Sequence, residues 1–150
     1  MTRTVARQIA VRICYSADFL KDPPDKVLDV FFSPEHYSSL SDSDPVFDVF
    51  PDDTQMEYIQ NLVRSVYIHA GEIDSRIASF SEKRKLERIP RTALAVLRCA
   101  VCELLYFDNI PPSVTINEAV EISKSFDSPE TVSFVNGLLG SVYRSISEHP

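Results

Sequence analysis

Four sets of residues in this chain have types that could do chemistry. Cys99 and Cys102 form a C-x-x-C. A redox pair of that kind needs its first thiol at a helix N-terminus, where the helix dipole lowers the thiol pKa. Here both cysteines lie inside an apolar helical run, no second C-x-x-C exists, and no histidine is near enough for a zinc set. The pair reads as core packing. His36, His69 and His149 are scattered, without H-x-x-x-H or H-E-x-x-H spacing. A glycine-rich phosphate loop and a G-x-S-x-G elbow are both missing. With no acid–base–nucleophile set, nothing points to an enzyme, and no metal or cofactor is expected.

Arg98 and Glu103 are the third set, two charges in an otherwise uncharged run, Ala93 to Phe107. Five residues apart, they point about 140° from each other and cannot easily bridge within one helix. Each, if buried, needs a partner elsewhere, and Asn117 and Glu118 on the following helix are the expected candidates. The fourth set is Arg3, Arg7 and Arg12. Residues 1–17 carry these three arginines and no acid. Arg3 and Arg7, four apart, share one helical face. A basic opening helix is either a solvated face or a phosphate-contacting element.

The elements that position these residues read as helices. The 93–107 run has Leu94, Leu97, Val101, Leu104 and Leu105 at helical spacing, with apolar residues on its other faces. Such a helix is buried on most sides. Fifteen residues reach about 22 Å, too short for a hydrocarbon core of about 30 Å, so no membrane is expected. The chain has 150 residues and only three glycines, which favours one all-α domain over a β-sandwich. No signal peptide is read, and three cysteines on apolar faces fit reduced thiols in a cytoplasm.

Upstream of the central run, Thr2 to Leu20 is amphipathic. Asp22 is expected to cap a helix opening at Pro23-Pro24. Residues 33–51 read as an exposed acidic loop that pins Phe47, Val49 and Phe50 on the core. Asp52/Asp53-Thr54 is expected to open the next helix, with Thr54 and Glu57 at capping-box spacing; Ile59 to Tyr67 gives an apolar stripe, and Gly71 is expected as the C-terminal cap. Ile73, Ile77 and Phe80 mark a short helix, and Ser81 is expected to cap a basic turn over 82–86. After the stop at Asp108–Pro112, Thr115 and Glu118 again have capping-box spacing. Ser128 caps a last helix from about Glu130 to Ser147, with Phe134, Leu138, Val142 and Ile146 striping one face. The net charge is −7 at pH 7, but its sign is segregated. Residues 18–58 hold eleven acids against two lysines, whereas 82–98 holds six basic residues against two acids.

The run LRCAVCELLYFDNIPPSVTINEAVEISKSFDSPETVSFVNGLL resembles the C-terminal half of the NusB family of bacterial transcription antitermination factors. The matching features are Leu97-Arg98, Glu103-Leu104-Leu105, Ile110-Pro111, Ile116-Asn117-Glu118-Ala119, Lys124-Ser125-Phe126 and Phe134-Val135-Asn136-Gly137. Ala6-Arg7, Ala10 and Tyr15 stand where the family has its A-R…A…L-Y pattern. The acidic segment, about 22–52, is not covered. The resemblance implies about seven helices in two small bundles around the buried helix at 93–107. It also implies binding of boxA-type RNA together with the ribosomal protein NusE, within the RNA polymerase antitermination complex that supports ribosomal RNA transcription. RNA contact then falls on Arg3 and Arg7 and on Glu130, Thr131, Ser133 and Phe134, and Tyr15 faces NusE. Family members occur as monomers and as dimers, so a homodimer is a further implied partner.

Two departures stand out. Thr4 and Val5 follow Arg3 where the family often has consecutive arginines, and fewer phosphate contacts mean weaker, less salt-sensitive binding. A family acid near the start of the central helix falls near Ala93. Two other readings remain at this stage. One is the helical domain that precedes the catalytic part of ribosomal RNA cytosine methyltransferases. The other is a protein-only scaffold that has lost RNA binding.

Overall fold

A computed structural model describes residues 1–17, 21–81 and 85–148. Among the described residues there are eight α-helices, two 3-10 turns and no strand, so the fold is all-α. The chain divides into two compact units, Met1–Tyr67 and Ile68–Pro150.

The first unit opens with α1, Arg3–Ala17. Its apolar stripe is fully used: Ala6, Ile9, Ala10 and Ile13 have no exposed surface. Next come α2 (Pro24–Phe31), α3 (Pro34–Leu40), a 3-10 turn at Pro45–Phe47 and α4 (Asp53–Ile68). Proline in the first turn starts both α2 and α3, where its missing N–H costs nothing. Asp22 does not cap α2. The cap position is Pro23, without a side-chain cap bond, and the Asp22 carboxylate lies 3.4 Å from Lys26 Nζ. The expected acidic loop is partly helical, through α3 and the 3-10 turn. Asp44 starts that turn by accepting a hydrogen bond from the Val46 N–H at 3.0 Å.

Of the three residues expected to pin this segment, only Phe47 is buried, at 4% exposed. Val49 and Phe50 remain 58% and 52% exposed. An aromatic cluster does the pinning. Phe47 packs edge-on to Phe31 and Tyr37, Tyr37 stacks on Phe32, and Phe50, though half-exposed, packs edge-on to Phe32 and Tyr37. The Tyr37 hydroxyl donates to the Val49 carbonyl at 2.8 Å.

The cap of α4 is Asp52, whose Oδ1 accepts from the Gln55 N–H at 2.9 Å; Thr54 already lies inside the helix. A carboxylate there satisfies an orphan N–H and meets the positive end of the helix dipole. Gly71 is not a C-terminal cap. The break falls at His69, and Gly71 sits in the first turn of α5 (Ala70–Phe80). Ser81 closes α5 by donating its hydroxyl to the Ala78 carbonyl at 3.0 Å. Residues 82–84 of the basic turn expected after it lie outside the described residues.

After a 3-10 turn at Leu86–Arg88, the second unit is organised on α6, Arg91–Tyr106, which packs against α5, α7 (Pro112–Lys124) and α8 (Pro129–Glu148). Ala93, Leu97, Val101 and Cys102 of α6 are fully buried, and Cys99 is 2% exposed and in no disulfide. In α8 the core stripe is Val135, Leu138, Leu139 and Val142, while Phe134 is only half-buried. Among the described residues no helix is long and apolar enough to cross a membrane.

Leu97 sits at the centre of this packing, so Leu97→Ala loses both transfer energy and contacts across the cavity it leaves. The expected cost is about 2–5 kcal/mol in urea unfolding. A loss below about 1 kcal/mol, the size of an ordinary surface substitution, is incompatible with a central role for α6.

Candidate nucleic-acid interface

The three arginines of α1 have three different environments. Arg12 forms an ion pair with Asp44 and lies 5.9 Å from the Phe47 ring centroid, so the acidic segment absorbs its charge. Arg7 is only 4% exposed, with its guanidinium carbon 5.5 Å from the centroid of Tyr58. It is not on a solvated face: Ala10, Val11 and Cys14, three, four and seven residues further on, are all buried. Arg3 is half-exposed. Its Nε donates to Gln55 Oε1 at 2.7 Å, and its guanidinium carbon stands 4.1 Å above the Tyr58 ring. Tyr58, itself 5% exposed, thus gathers Arg3 and Arg7 on the α4 side of α1. Tyr15, on the same helix, is half-exposed.

In the second unit the other expected contacts cluster on the first turns of α8. Ser128 caps the helix, accepting from the Thr131 N–H at 3.3 Å and donating its hydroxyl to Thr131 Oγ1 at 3.2 Å. Thr131 is therefore buried, at 9% exposed, while Glu130 and Ser133 face solvent and Phe134 is half-buried. The turn before α8 is tied down by Asp127, whose Oδ1 accepts from the Thr92 hydroxyl at 2.7 Å. That bond links the first turn of α6 to the entry of α8.

The charges on α6 find partners that spacing did not name. Arg98 makes a two-pronged contact with Asp74 of α5, Nε to Oδ1 at 2.9 Å and Nη2 to Oδ2 at 3.1 Å. Glu103, 2% exposed, accepts from the Thr115 hydroxyl at 2.8 Å. Thr115 is thus an interior residue of α7 bonded to α6, not a cap; the cap position is Pro111. At the end of α6, the Tyr106 hydroxyl donates to Glu72 at 2.7 Å and its ring stacks on His69 at 3.8 Å between centroids. Burial, with the Glu72 hydrogen bond and charge, pushes the Tyr106 phenol up to about 12. Among the described residues no group of three His, Cys, Asp or Glu side chains could hold a metal.

Gln55, Tyr58, Thr92 and Asp127 are the residues that sequence reasoning missed. Gln55 is 52 residues from Arg3, and Asp127 is 35 from Thr92, so no local spacing connects them. The burial of Arg7 did have a signal in the apolar residues at helical spacing after it.

Among the described residues this is an all-helical, bundle-forming chain whose first helix carries three arginines and no acid. Residues 4–144 match the model of the NusB family. The transcription antitermination protein NusB of Thermoanaerobacter sp. (strain X514) is 38% identical over 144 residues, 96% of this chain and 91% of that protein. The protein of the same name from Acetivibrio thermocellus is 36% identical, over 96% and 90%. Among solved structures, NusB of T. maritima superposes with a TM-score of 0.78 at 25% identity, over 96% of this chain and 92% of that one. A NusB solved with NusE and double-stranded RNA superposes at 0.75 with 22% identity, over 95% and 96%. The chain belongs to the NusB family.

Two consequences follow from this geometry. Arg7→Glu buries a reversed charge and should destabilise the fold by about 3 kcal/mol or more in thermal or urea unfolding. A Tm unchanged within a degree or so is the result that contradicts the buried placement of Arg7. For Tyr106, a phenol pKa raised on folding favours the native state below the ordinary value near 10. That contribution is lost as pH rises toward about 12. Alkaline titration followed by tyrosinate absorbance should therefore lose a step above the ordinary tyrosine range in Tyr106→Phe; an unchanged titration curve contradicts the Glu72 contact.

Proposed function

We propose that this chain is a cytoplasmic transcription antitermination factor that binds boxA-type RNA jointly with the ribosomal protein NusE, and so joins elongating RNA polymerase during ribosomal RNA synthesis. It acts by binding, as an adaptor, and as one helical RNA-binding domain over 1–150 with the acidic segment 22–52 as its variable part. Membership in a family whose relatives carry that name carries the reading. The side chains support it, because Arg3 is a half-exposed cation on a protein whose net charge is −7.

The proposed contacts are not equivalent. Arg3 supplies the phosphate-directed charge of α1, and Arg7 supports it from beneath. At the start of α8, Glu130 and Ser133 offer polar contacts. Phe134 offers part of a ring on which a base can stack, and Thr131 holds the turn through Ser128. A carboxylate such as Glu130 cannot bind phosphate, and it suits base-edge or ribose hydroxyl contact instead. Tyr15 is the proposed NusE contact. A second copy of the chain is a competing occupant of the same surfaces.

The deciding experiment titrates fluorescent boxA-type RNA with the protein, with and without NusE, at low and at near-physiological salt. The expected result is weak binding alone, with a shallow salt dependence, and tighter binding with NusE. Arg3→Glu should weaken it about tenfold or more without changing Tm, since one phosphate contact is lost and one repulsion is added. Absence of binding at low salt in both arms overturns the RNA reading. Capture of NusE with no enhancement by RNA then leaves the protein-only scaffold.

A further inference from the structure

We infer that Gln55 and Tyr58 of α4 are positioning residues that hold Arg3 as a pre-set guanidinium fork for one RNA phosphate. The inference rests on the RNA reading above. It assigns to α4 a part in binding that the sequence placed only on α1 and α8.

The geometry is specific. An arginine near a chain start ordinarily samples many rotamers, and ordering it on binding costs affinity. Arg3 is restrained before any ligand arrives. Gln55 Oε1 takes its Nε–H at 2.7 Å, and the Tyr58 ring lies under its guanidinium carbon at 4.1 Å. These contacts use the inner edge and one face of the plane. The two terminal nitrogens take part in no hydrogen bond or ion pair among the described residues. They are the edge that matches two phosphate oxygens at once.

The support is itself rigid. Tyr58 is 5% exposed and is packed in α4 beside the fully buried Ile59 and Leu62. Gln55 lies one turn earlier, within the first turn that Asp52 caps. Gln55 is neutral, so it orients Arg3 without neutralising it. Arg12 shows the contrast: held by Asp44, it has no net charge left to offer.

The test is a double-mutant cycle on binding of a short single-stranded boxA-type RNA, with NusE present and Tm measured for every variant. Gln55→Met and Tyr58→Leu should each weaken binding about three- to tenfold, and Tyr58→Phe, which keeps the ring, should bind like the wild type. In an Arg3→Gln background neither change should cost anything further, because both act through Arg3. Arg3→Gln should also flatten the slope of log K against log salt by about 0.7, the loss of one phosphate on a single strand.

Wild-type affinity in Gln55→Met and Tyr58→Leu, with a loss only in Arg3→Gln, overturns the positioning role and leaves the RNA reading standing. Losses that add to that of Arg3→Gln overturn it equally. If the wild-type protein does not bind, both readings fail together. Tyr58→Leu removes a buried ring, so if its Tm falls steeply the half-buried Gln55 carries the test alone.

Discussion

A helix apolar on nearly every side must still accommodate the charges set within it, and beyond the exposed Arg91 at its start α6 holds two, Arg98 and Glu103. A buried charge without a partner costs several kcal/mol, so Arg98 and Glu103 restrict which neighbours α6 can accept. Asp74 of α5 meets the Arg98 guanidinium with two oxygens, and Thr115 of α7 gives its hydroxyl to Glu103. Apolar packing is non-directional and tolerates sliding of one helix along another. These hydrogen bonds do not, because a displacement of one residue breaks them. They set the register of α5, α6 and α7, and the leucines and valines then fill the space between. The Thr92–Asp127 bond extends the same control to the entry of α8.

In the first unit the corresponding constraint is charge segregation. The acids of residues 22–53 are not simply a solvated tract. Asp44 holds Arg12 of α1, Asp25 holds Arg64 of α4 at 2.7 Å, and Asp52 caps α4. Acids and bases far apart in sequence neutralise each other locally. An aromatic cluster around Phe31, Tyr37 and Phe47 gives the segment an apolar anchor of its own.

The central helix and the apolar stripes were legible from spacing, because 3.6-residue periodicity is a direct image of burial, whereas α3 fell in a stretch read as loop. Helix ends were less so. Thr54–Glu57 and Thr115–Glu118 both have capping-box spacing, yet each threonine lies inside its helix. A capping box works only at a boundary, and here Asp52 and Pro111-Pro112 set the boundaries earlier. Gly71 was misplaced for a related reason: the chain breaks at His69 and restarts before a left-handed residue is needed. The contacts of Arg98 with Asp74 and of Glu103 with Thr115 were not named in advance, because spacing shows that a charge needs a partner but not which helix packs against which face. The basic start was visible as a property of the segment. The different environments of its three arginines were not, since they depend on Asp44, Gln55 and Tyr58, tens of residues away.

Under the proposed function, those environments explain how an acidic protein can meet a polyanion. At physiological salt the field of an exposed charge fades over about 8 Å, so the charges within that distance matter more than the total of −7. Counting three arginines on α1 overstates the local field. Arg12 is cancelled by Asp44 and Arg7 is buried, which leaves Arg3 as the exposed source. A single fork gives a shallow salt dependence and little affinity by itself. Under the proposed function, the remaining affinity must come from contacts that salt does not screen: bases against the α8 entry, and a second protein bound beside the RNA. On that proposal, joint binding with a partner is what this thin distribution of charge calls for, and it is the behaviour that separates an adaptor from an autonomous RNA-binding protein.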